Sequence, residues 1–221
     1  MDLPAALLSA DVQGVVFALA ALGLLALARK LPWRELAGGV HLNLLLGFAV
    51  CLTLIWSMRA GVKPGLNLHL LGAMAATLAL GPWKAIAALA LALCGITLNG
   101  ALEWGDWPAN FVLMVLVPVS VASGLHRLIE RLLPAHFFIF IFVTGFAGSA
   151  LTAIAQGLTA SSVLALSGAY SADFLWSDYL PFFLLLGFSE GWISGAIITL
   201  MVVYRPEWVS AFDDRRYLLD K

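Results

Sequence analysis

Two residues of this 221-residue chain carry chemically versatile side chains within otherwise apolar sequence. His69 follows a segment, residues 61–68, that contains a proline and two glycines, and its imidazole is a candidate ligand for a metal or another substrate. Glu190 lies well inside a long apolar run, where a carboxylate is a functional candidate. Each also has a structural interpretation: His69 bonded to a backbone carbonyl, and Glu190 protonated or hydrogen-bonded in packing.

The residues around Glu190 also match a hydrolase pattern. Residues 187–191 read Gly-Phe-Ser-Glu-Gly, which has the form G-x-S-x-G. A serine hydrolase needs a base within reach of Ser189. No histidine follows Ser189, and His69 is the only histidine expected in the outer half of the membrane, so it is the candidate base. So short a pattern also arises easily by chance. An intramembrane serine hydrolase is therefore the least favoured alternative.

Other catalytic and nucleotide-binding motifs are missing from the sequence. It has no Walker A pattern, no glycine-rich dinucleotide turn and no H-E-x-x-H. Any work driven by ATP would therefore need a partner protein. The formal net charge of −1 gives no basic footprint for nucleic acid. We expect a protein that is not an enzyme, has no permanently bound cofactor and does not bind nucleic acid.

The composition places the chain in a lipid bilayer. Hydrophobic residues make up 62% and charged residues 11% of the sequence, and the mean hydropathy is +0.97. Soluble domains average about 45–50% apolar and about 25% charged residues. A water-soluble enzyme, a disordered chain and a disulfide scaffold are thereby excluded.

Apolar runs long enough to cross a bilayer occupy most of the chain. We predict an all-α polytopic membrane protein with about seven transmembrane helices. The predicted spans are residues 12–28, 40–58, 66–80, 85–100, 110–125, 136–157 and 180–204. The longest polar insert is residues 158–179.

The basic residues give these spans an orientation. With seven spans, Arg59 and Lys63 lie on one side, and ten basic residues lie on the other: Arg29, Lys30, Arg34, Lys84, Arg127, Arg131, Arg205, Arg215, Arg216 and Lys221. Cytoplasmic loops are enriched in Lys and Arg. We therefore expect the N-terminus outside, the C-terminus in the cytoplasm, and a bacterial-type inner (plasma) membrane.

We expect one membrane domain over residues 1–221. It divides into an outer N-terminal segment (1–11), a helix bundle (12–204) and a solvated cytoplasmic tail (205–221). Residues 1–11 contain no Lys or Arg, and the positive cluster follows the first apolar run, which is not typical of a signal peptide. We therefore expect the mature chain to begin at Met1 or Asp2.

Four segments resemble the CbiM/NikM family, the substrate-capturing membrane subunits of energy-coupling factor transporters for cobalt and nickel. Residues 1–9, Met-Asp-Leu-Pro-Ala-Ala-Leu-Leu-Ser, resemble the family opening M-H-I-P-D-G-F-L-S. His69, with Gly72 and then Gly81-Pro82, resembles a loop S-x-H-P-T-G that leads to a G-P twelve residues after its histidine. Residues 108–114 resemble the segment G-A-N-x-x-x-M. Glu190-Gly191 and residues 204–207, Tyr-Arg-Pro-Glu, resemble its last helix and exit.

The resemblance implies a metal site. Family members hold their ion through the free N-terminal amine, the backbone nitrogen and side chain of the second residue, and the loop histidine, which correspond here to Met1, Asp2 and His69. Such nitrogen-rich sites suit Ni(II), Cu(II) or Co(II). Asn67, Asn110 and Glu190 are candidates to support the ligands or line the ion path. The partners implied are a cytoplasmic ATPase and transmembrane coupling subunits.

The chain departs from the family at the proposed ligands. Asp2 replaces a histidine with a harder oxygen ligand, which weakens the preference for nickel or cobalt. Ala5 and Ala6 replace D-G, and Leu70-Leu71 replace P-T. These departures keep a second alternative open, a scaffold or sensor on the same fold that does not transport an ion.

Overall fold

Helices dominate the computed structural model, which describes residues 2–37, 39–61, 63 and 66–219. The prediction for Met1 falls outside these described residues. The helices that build the bundle are α1 (Ala10–Lys30), α2 (Val40–Ser57), α3 (Ala73–Leu80), α4 (Pro82–Leu98), α5 (Trp104–Leu132), α6 (Ile139–Leu166) and α7 (Ala172–Tyr204). Within the described residues, α1, α2, α5, α6 and α7 are long and apolar enough to cross a membrane, and α4 is shorter.

The all-α polytopic class is therefore confirmed, while the number of spans and their orientation stay predictions. Successive helices run back and forth between two ends of the bundle. We call the end where α1 begins and α2 ends the His69 end, and the end where α7 finishes the Arg205 end.

The third predicted span, residues 66–80, is wrong as a single helix. Asn67–Leu68 form a strand, β2, that pairs antiparallel with β1 (Ala60–Gly61), and α3 begins only at Ala73. The preceding Gly72 has a φ of +68°, a left-handed conformation that glycine adopts easily and that separates the two segments. His69 therefore lies in an extended segment before the helix and not at its start.

The predicted polar insert, residues 158–179, is also largely helical. α6 continues to Leu166, and α7 starts after a short turn at Ala172. Hydroxyl groups inside α6 find acceptors on their own helix: Thr159 donates to the Ala155 carbonyl at 2.8 Å and Ser162 donates to the Leu158 carbonyl at 2.8 Å. Polar residues whose hydroxyls are satisfied in this way do not need to leave the apolar bundle.

Two proline residues inside the long helices follow wide π-type turns. The segment Phe111–Leu116 precedes Pro118, and the segment Leu175–Tyr179 precedes Pro181. Proline has no backbone N–H, so the regular helical hydrogen-bond ladder is interrupted where it occurs. The wide turns absorb this interruption and let α5 and α7 continue.

Helices α6 and α7 pack closely through small residues. A methyl group added at Gly187 or Gly191 would meet the backbone carbonyl oxygen of Ala150 or Phe146, each at 3.1 Å. Small residues at spacings of four let membrane helices approach in this way. α3 lies inside the bundle with all eight residues buried, so the segment that carries His69 leads directly into the core.

The C-terminal segment is packed on the bundle and is not the solvated tail that the sequence suggests. Phe212 and Tyr217 are buried against the bundle, with their rings next to Phe140. The Ser210 and Ala211 N–H groups donate to the carbonyls of Ala79 and Leu78 at 2.9 and 3.0 Å. The last carbonyls of a helix lack partners within the helix, and the C-terminal segment supplies them because α3 ends inside the protein.

The contact between α6 and α7 can be tested at Gly157, where an added methyl group would overlap the ring of Phe183. We expect Gly157→Ala to lower the free energy of unfolding by about 1–3 kcal/mol, because the ring must shift in a packed core. Thermal unfolding of the detergent-solubilised protein measures this change.

Gly14→Ala is the matched control, because nothing lies within 4 Å of its added methyl group. It should leave the stability unchanged or raise it by up to about 1 kcal/mol. Equal stability of the Gly157 and Gly14 variants would contradict the packing described for α6 and α7.

Candidate functional site

The N-terminal segment enters the His69 end of the bundle and is held there by Asn110. Leu3 is fully buried. Its N–H donates to the Asn110 side-chain oxygen at 2.7 Å, and the Asn110 amide donates back to the Leu3 carbonyl at 2.9 Å. Asn110 thus satisfies both backbone groups of Leu3, as a neighbouring strand would. Asn110 therefore holds the backbone of the residue that follows Asp2.

Two further side chains anchor the same segment. The Ala5 N–H donates to the Asp106 carboxylate at 2.6 Å. The Gln13 amide donates to the carbonyls of Ala5 and Leu8 at 2.8 and 3.0 Å. These bonds replace the helical or strand partners that an extended segment lacks. Residues 3–8 are consequently fixed with respect to α1 and α5.

Asp2 points into the protein and forms an ion pair with Arg59. The residue is 5% exposed, and one carboxylate oxygen, Oδ2, accepts a hydrogen bond from the Arg59 guanidinium. Arg59 also donates to the Ala101 carbonyl at 2.8 Å. The other oxygen, Oδ1, is buried and has no hydrogen-bond donor within the described residues. Asp2 therefore keeps one oxygen that is open to another partner.

His69 is buried at the base of the β1–β2 hairpin. Its Nδ1 lies 2.9 Å from the Leu70 carbonyl, and its ring lies 5.5 Å from the ring of Trp56. Trp56 in turn donates its indole N–H to the Leu71 carbonyl at 3.2 Å. The Leu70 contact is compatible with a proton on Nδ1.

The electrostatic environment of His69 favours its neutral form. Burial lowers the pKa of His69 well below its usual value, and the charge of Arg59 acts in the same direction. A metal ion binds neutral imidazole. His69 is therefore in the protonation state that a ligand requires.

Glu190 holds the backbone that follows His69. Its two carboxylate oxygens accept hydrogen bonds from the N–H groups of Leu71 and Gly72 at 2.7 and 2.6 Å. The Ser194 hydroxyl donates to the same carboxylate at 2.9 Å. In the described part of the chain Glu190 forms no salt bridge. Glu190 is thus bound to the segment that follows His69 by hydrogen bonds from uncharged donors.

A large cavity lies on the other side of Glu190 and offers little to an ion. It has a volume of about 740 Å³ and separates α2 from α7. Glu190, Asn43 and Ser194 are among its few polar lining residues, and aliphatic and aromatic side chains form most of the wall. Oxygen and nitrogen ligands are what a dehydrated metal ion requires. The role of Glu190 in an ion path stays a prediction.

The other predicted residues lie farther from this cluster or outside the described part. Asn67 is half-buried and pairs with Gly61 in the hairpin, so it shapes the segment between Arg59 and His69. Ser189, the nucleophile of the hydrolase alternative, is exposed and donates its hydroxyl to the Leu185 carbonyl of its own helix. Among the described residues, this hydroxyl is thus bonded to its own helix and not to a histidine.

The described residues supply only part of a metal coordination sphere. They contain no group of three or more His, Cys, Asp or Glu side chains that converges on one point. The ligand set that the resemblance implies, with the Asp2 carboxylate, the His69 imidazole and main-chain nitrogen, stays a prediction. Nitrogen and oxygen donors of this kind fit a divalent transition metal.

Sequence reasoning missed Arg59, Asp106 and Gln13. Arg59 is 57 residues from Asp2 in the sequence, and its position in the sequence indicated only the orientation of the spans. A carboxylate and a guanidinium expected on the same side of the membrane were the available signal. This signal identifies two opposite charges on one side of the membrane, but it does not indicate that they are in contact.

Two solved structures share this fold. A truncated transition metal transporter is 21% identical, with a TM-score of 0.74 over 92% of this chain and 99% of its own. A second transition metal transporter is 20% identical, with a TM-score of 0.73 over 91% of this chain and 92% of its own. No curated protein matches the sequence. The fold is thus that of membrane transition-metal transporters.

The family follows from a separate comparison. The family model of CbiM, the cobalt uptake substrate-specific transmembrane region, matches residues 2–208. The chain therefore belongs to the CbiM family. It is a multi-pass membrane component of transition-metal uptake, and a transport protein rather than an enzyme.

The anchoring of the N-terminal segment can be tested with Asn110→Ala. The N–H and C=O groups of Leu3 would lose their partners in a buried place, at about 1–3 kcal/mol for each unsatisfied group. We expect faster amide hydrogen exchange in residues 2–8, measured by mass spectrometry. Asn99→Ala, at an exposed asparagine, is the control. Unchanged exchange in both variants would show that Asn110 does not hold the segment.

The role of Glu190 can be tested with Glu190→Gln. Glutamine has one oxygen where glutamate has two, so its NH₂ would face one of the two backbone N–H groups and leave it unsatisfied. We expect faster hydrogen exchange in residues 66–72, and Glu103→Gln, at an exposed glutamate, should not change it. Equal exchange in the wild type and Glu190→Gln would argue against this role.

Proposed function

We propose that the chain is the substrate-capture subunit of an energy-coupling factor transporter and binds a divalent ion of the cobalt and nickel class on the outer side of the inner membrane. The observation that carries the proposal is the insertion of residues 2–8 beside the buried His69 segment. A carboxylate and an imidazole, both buried, are thereby at the same end of the bundle.

In this proposal the ion is captured and no bond is made or broken by catalysis. The N-terminal amine of Met1, the backbone nitrogen and carboxylate of Asp2, and His69 replace the water around the ion. Asn110 and Glu190 keep the two ligand-bearing segments in place, because each binds backbone groups next to a ligand. Positioning residues of this kind commonly affect metal affinity as strongly as weak ligands do.

Import then requires partners that supply energy. The sequence contains no nucleotide-binding motif, and CbiM is a substrate-specific component that works with other subunits. We assign these roles to a cytoplasmic ATPase and a transmembrane coupling subunit. The ion is released to the cytoplasm when the bundle changes its orientation or conformation against them.

The second candidate function is a scaffold or sensor that binds no ion. The observation that favours it is the ion pair between Asp2 and Arg59, because the pair engages the carboxylate that replaces the family's histidine. The two functions differ in one measurable property, which is whether the purified protein binds a divalent metal.

The proposed function is tested by titrating purified protein with nickel, cobalt, zinc and copper. We expect near-stoichiometric binding of one ion by the wild type and loss of binding in His69→Ala, because the imidazole is a ligand. Calorimetry and metal analysis measure both. An added N-terminal extension should also abolish binding, since it removes the free amine.

His41→Ala is the matched control. His41 lies at the opposite end of α2, about 24 Å along the helix from Ser57. This variant should bind like the wild type. Equal binding by the His69 and His41 variants would refute the site, and absence of binding by the wild type would favour the scaffold or sensor.

A further inference from the structure

The carboxylate of Asp2 is neutralised by a cation that belongs to the protein. A carboxylate removed from water is unstable unless a charge or several hydrogen bonds compensate it. Arg59 provides this compensation through Oδ2. Lys63, the other cation expected at this end, instead lies 3.9 Å from the centre of the Phe174 ring. Among the described residues, Arg59 is thus the cation bound to Asp2.

The hairpin fixes Arg59 next to His69. The strands pair Ala60 with Leu68, and Arg59 directly precedes one strand while His69 directly follows the other at this end of the hairpin. The second contact of Arg59, to the Ala101 carbonyl, holds the guanidinium over the turn between α4 and α5. The charge of Arg59 is therefore beside both side chains of the proposed metal site.

The Arg59 guanidinium and a divalent ion bound by Asp2 would compete for the same carboxylate. An ion bound by Asp2 and His69 would lie beside a fixed positive charge, and like charges repel strongly where water is scarce. The Arg59 side chain is 33% exposed, whereas that of Asp2 is 7% exposed. Arg59 can therefore turn outward while Asp2 stays in place.

We propose that Arg59 sets the affinity of the metal site, acting as a built-in cation that the incoming ion must displace from Asp2. This proposal rests on the proposed function. It assigns to the Asp2–Arg59 pair the role of setting a low affinity: the empty site is closed by the guanidinium, and the ion exchanges one positive partner of Asp2 for another.

The test compares Arg59→Gln with Arg59→Lys in nickel and cobalt titrations of purified protein with its native N-terminus. Glutamine keeps a hydrogen-bond donor and removes the charge, so the affinity should rise by about tenfold or more. Lysine keeps the charge, so the affinity should stay closer to that of the wild type than to that of Arg59→Gln. Lys63→Gln removes a nearby charge that does not contact Asp2, and it should leave binding unchanged.

A purely structural role of Arg59 predicts a different change in affinity. If Arg59 only fastens the N-terminal segment, Arg59→Gln binds the ion more weakly than the wild type or equally well. Either result overturns the proposal and leaves the proposed function standing. Tighter binding by Arg59→Gln than by the wild type supports the proposal. Absence of binding by the wild type and all variants overturns both.

A second measurement uses the wild type and does not depend on the folding of a variant. Phenylglyoxal modifies accessible guanidinium groups, and mass spectrometry locates the modified arginine residues. Saturating nickel should increase the modification of Arg59, because the ion releases it from Asp2, and should not change that of Arg205 at the other end. Unchanged or reduced modification of Arg59 in protein that has bound nickel would overturn the proposal.

Discussion

The structure depends on one constraint: backbone N–H and C=O groups that enter an apolar bundle need partners, because no water is present to satisfy them. Helices meet this demand internally, but residues 2–8 contain only a single 3-10 turn, Ala5–Leu7, and residues 66–72 are not helical. Asn110 satisfies Leu3, and Glu190 satisfies Leu71 and Gly72. The polar residues inside the bundle are therefore the means by which extended chain, and the ligands on it, can be buried.

The same constraint explains the position of α3. An eight-residue helix is too short to cross a bilayer, so both of its ends lie within the protein. Glu190 binds the backbone just before α3, and the N–H groups of Ser210 and Ala211 bind the carbonyls near its end. The His69 segment is thus fixed at one end of α3 while the C-terminal segment is fixed at the other. A movement of α3 would couple the two ends of the bundle.

The sequence was sufficient for the fold class and for several of the residues that matter. The apolar composition required a membrane protein, and His69 and Glu190 stood out because polar residues are rare in such runs. The break at Gly72 escaped prediction because hydropathy cannot distinguish a buried strand and turn from a helix. The packing of the C-terminal segment and the Asp2–Arg59 pair escaped it because they join residues far apart in the sequence.

The two buried carboxylates are compensated differently, and the difference matches their roles. Glu190 accepts hydrogen bonds from two backbone N–H groups and a serine, and the N–H groups cannot leave unless the His69 segment itself unfolds. Asp2 is compensated by a flexible, partly exposed guanidinium, which can leave by rotating its side chain. A carboxylate with fixed donors is suited to holding structure. A carboxylate with a removable cation is suited to exchanging that cation for another, and this is why we place the ion at Asp2.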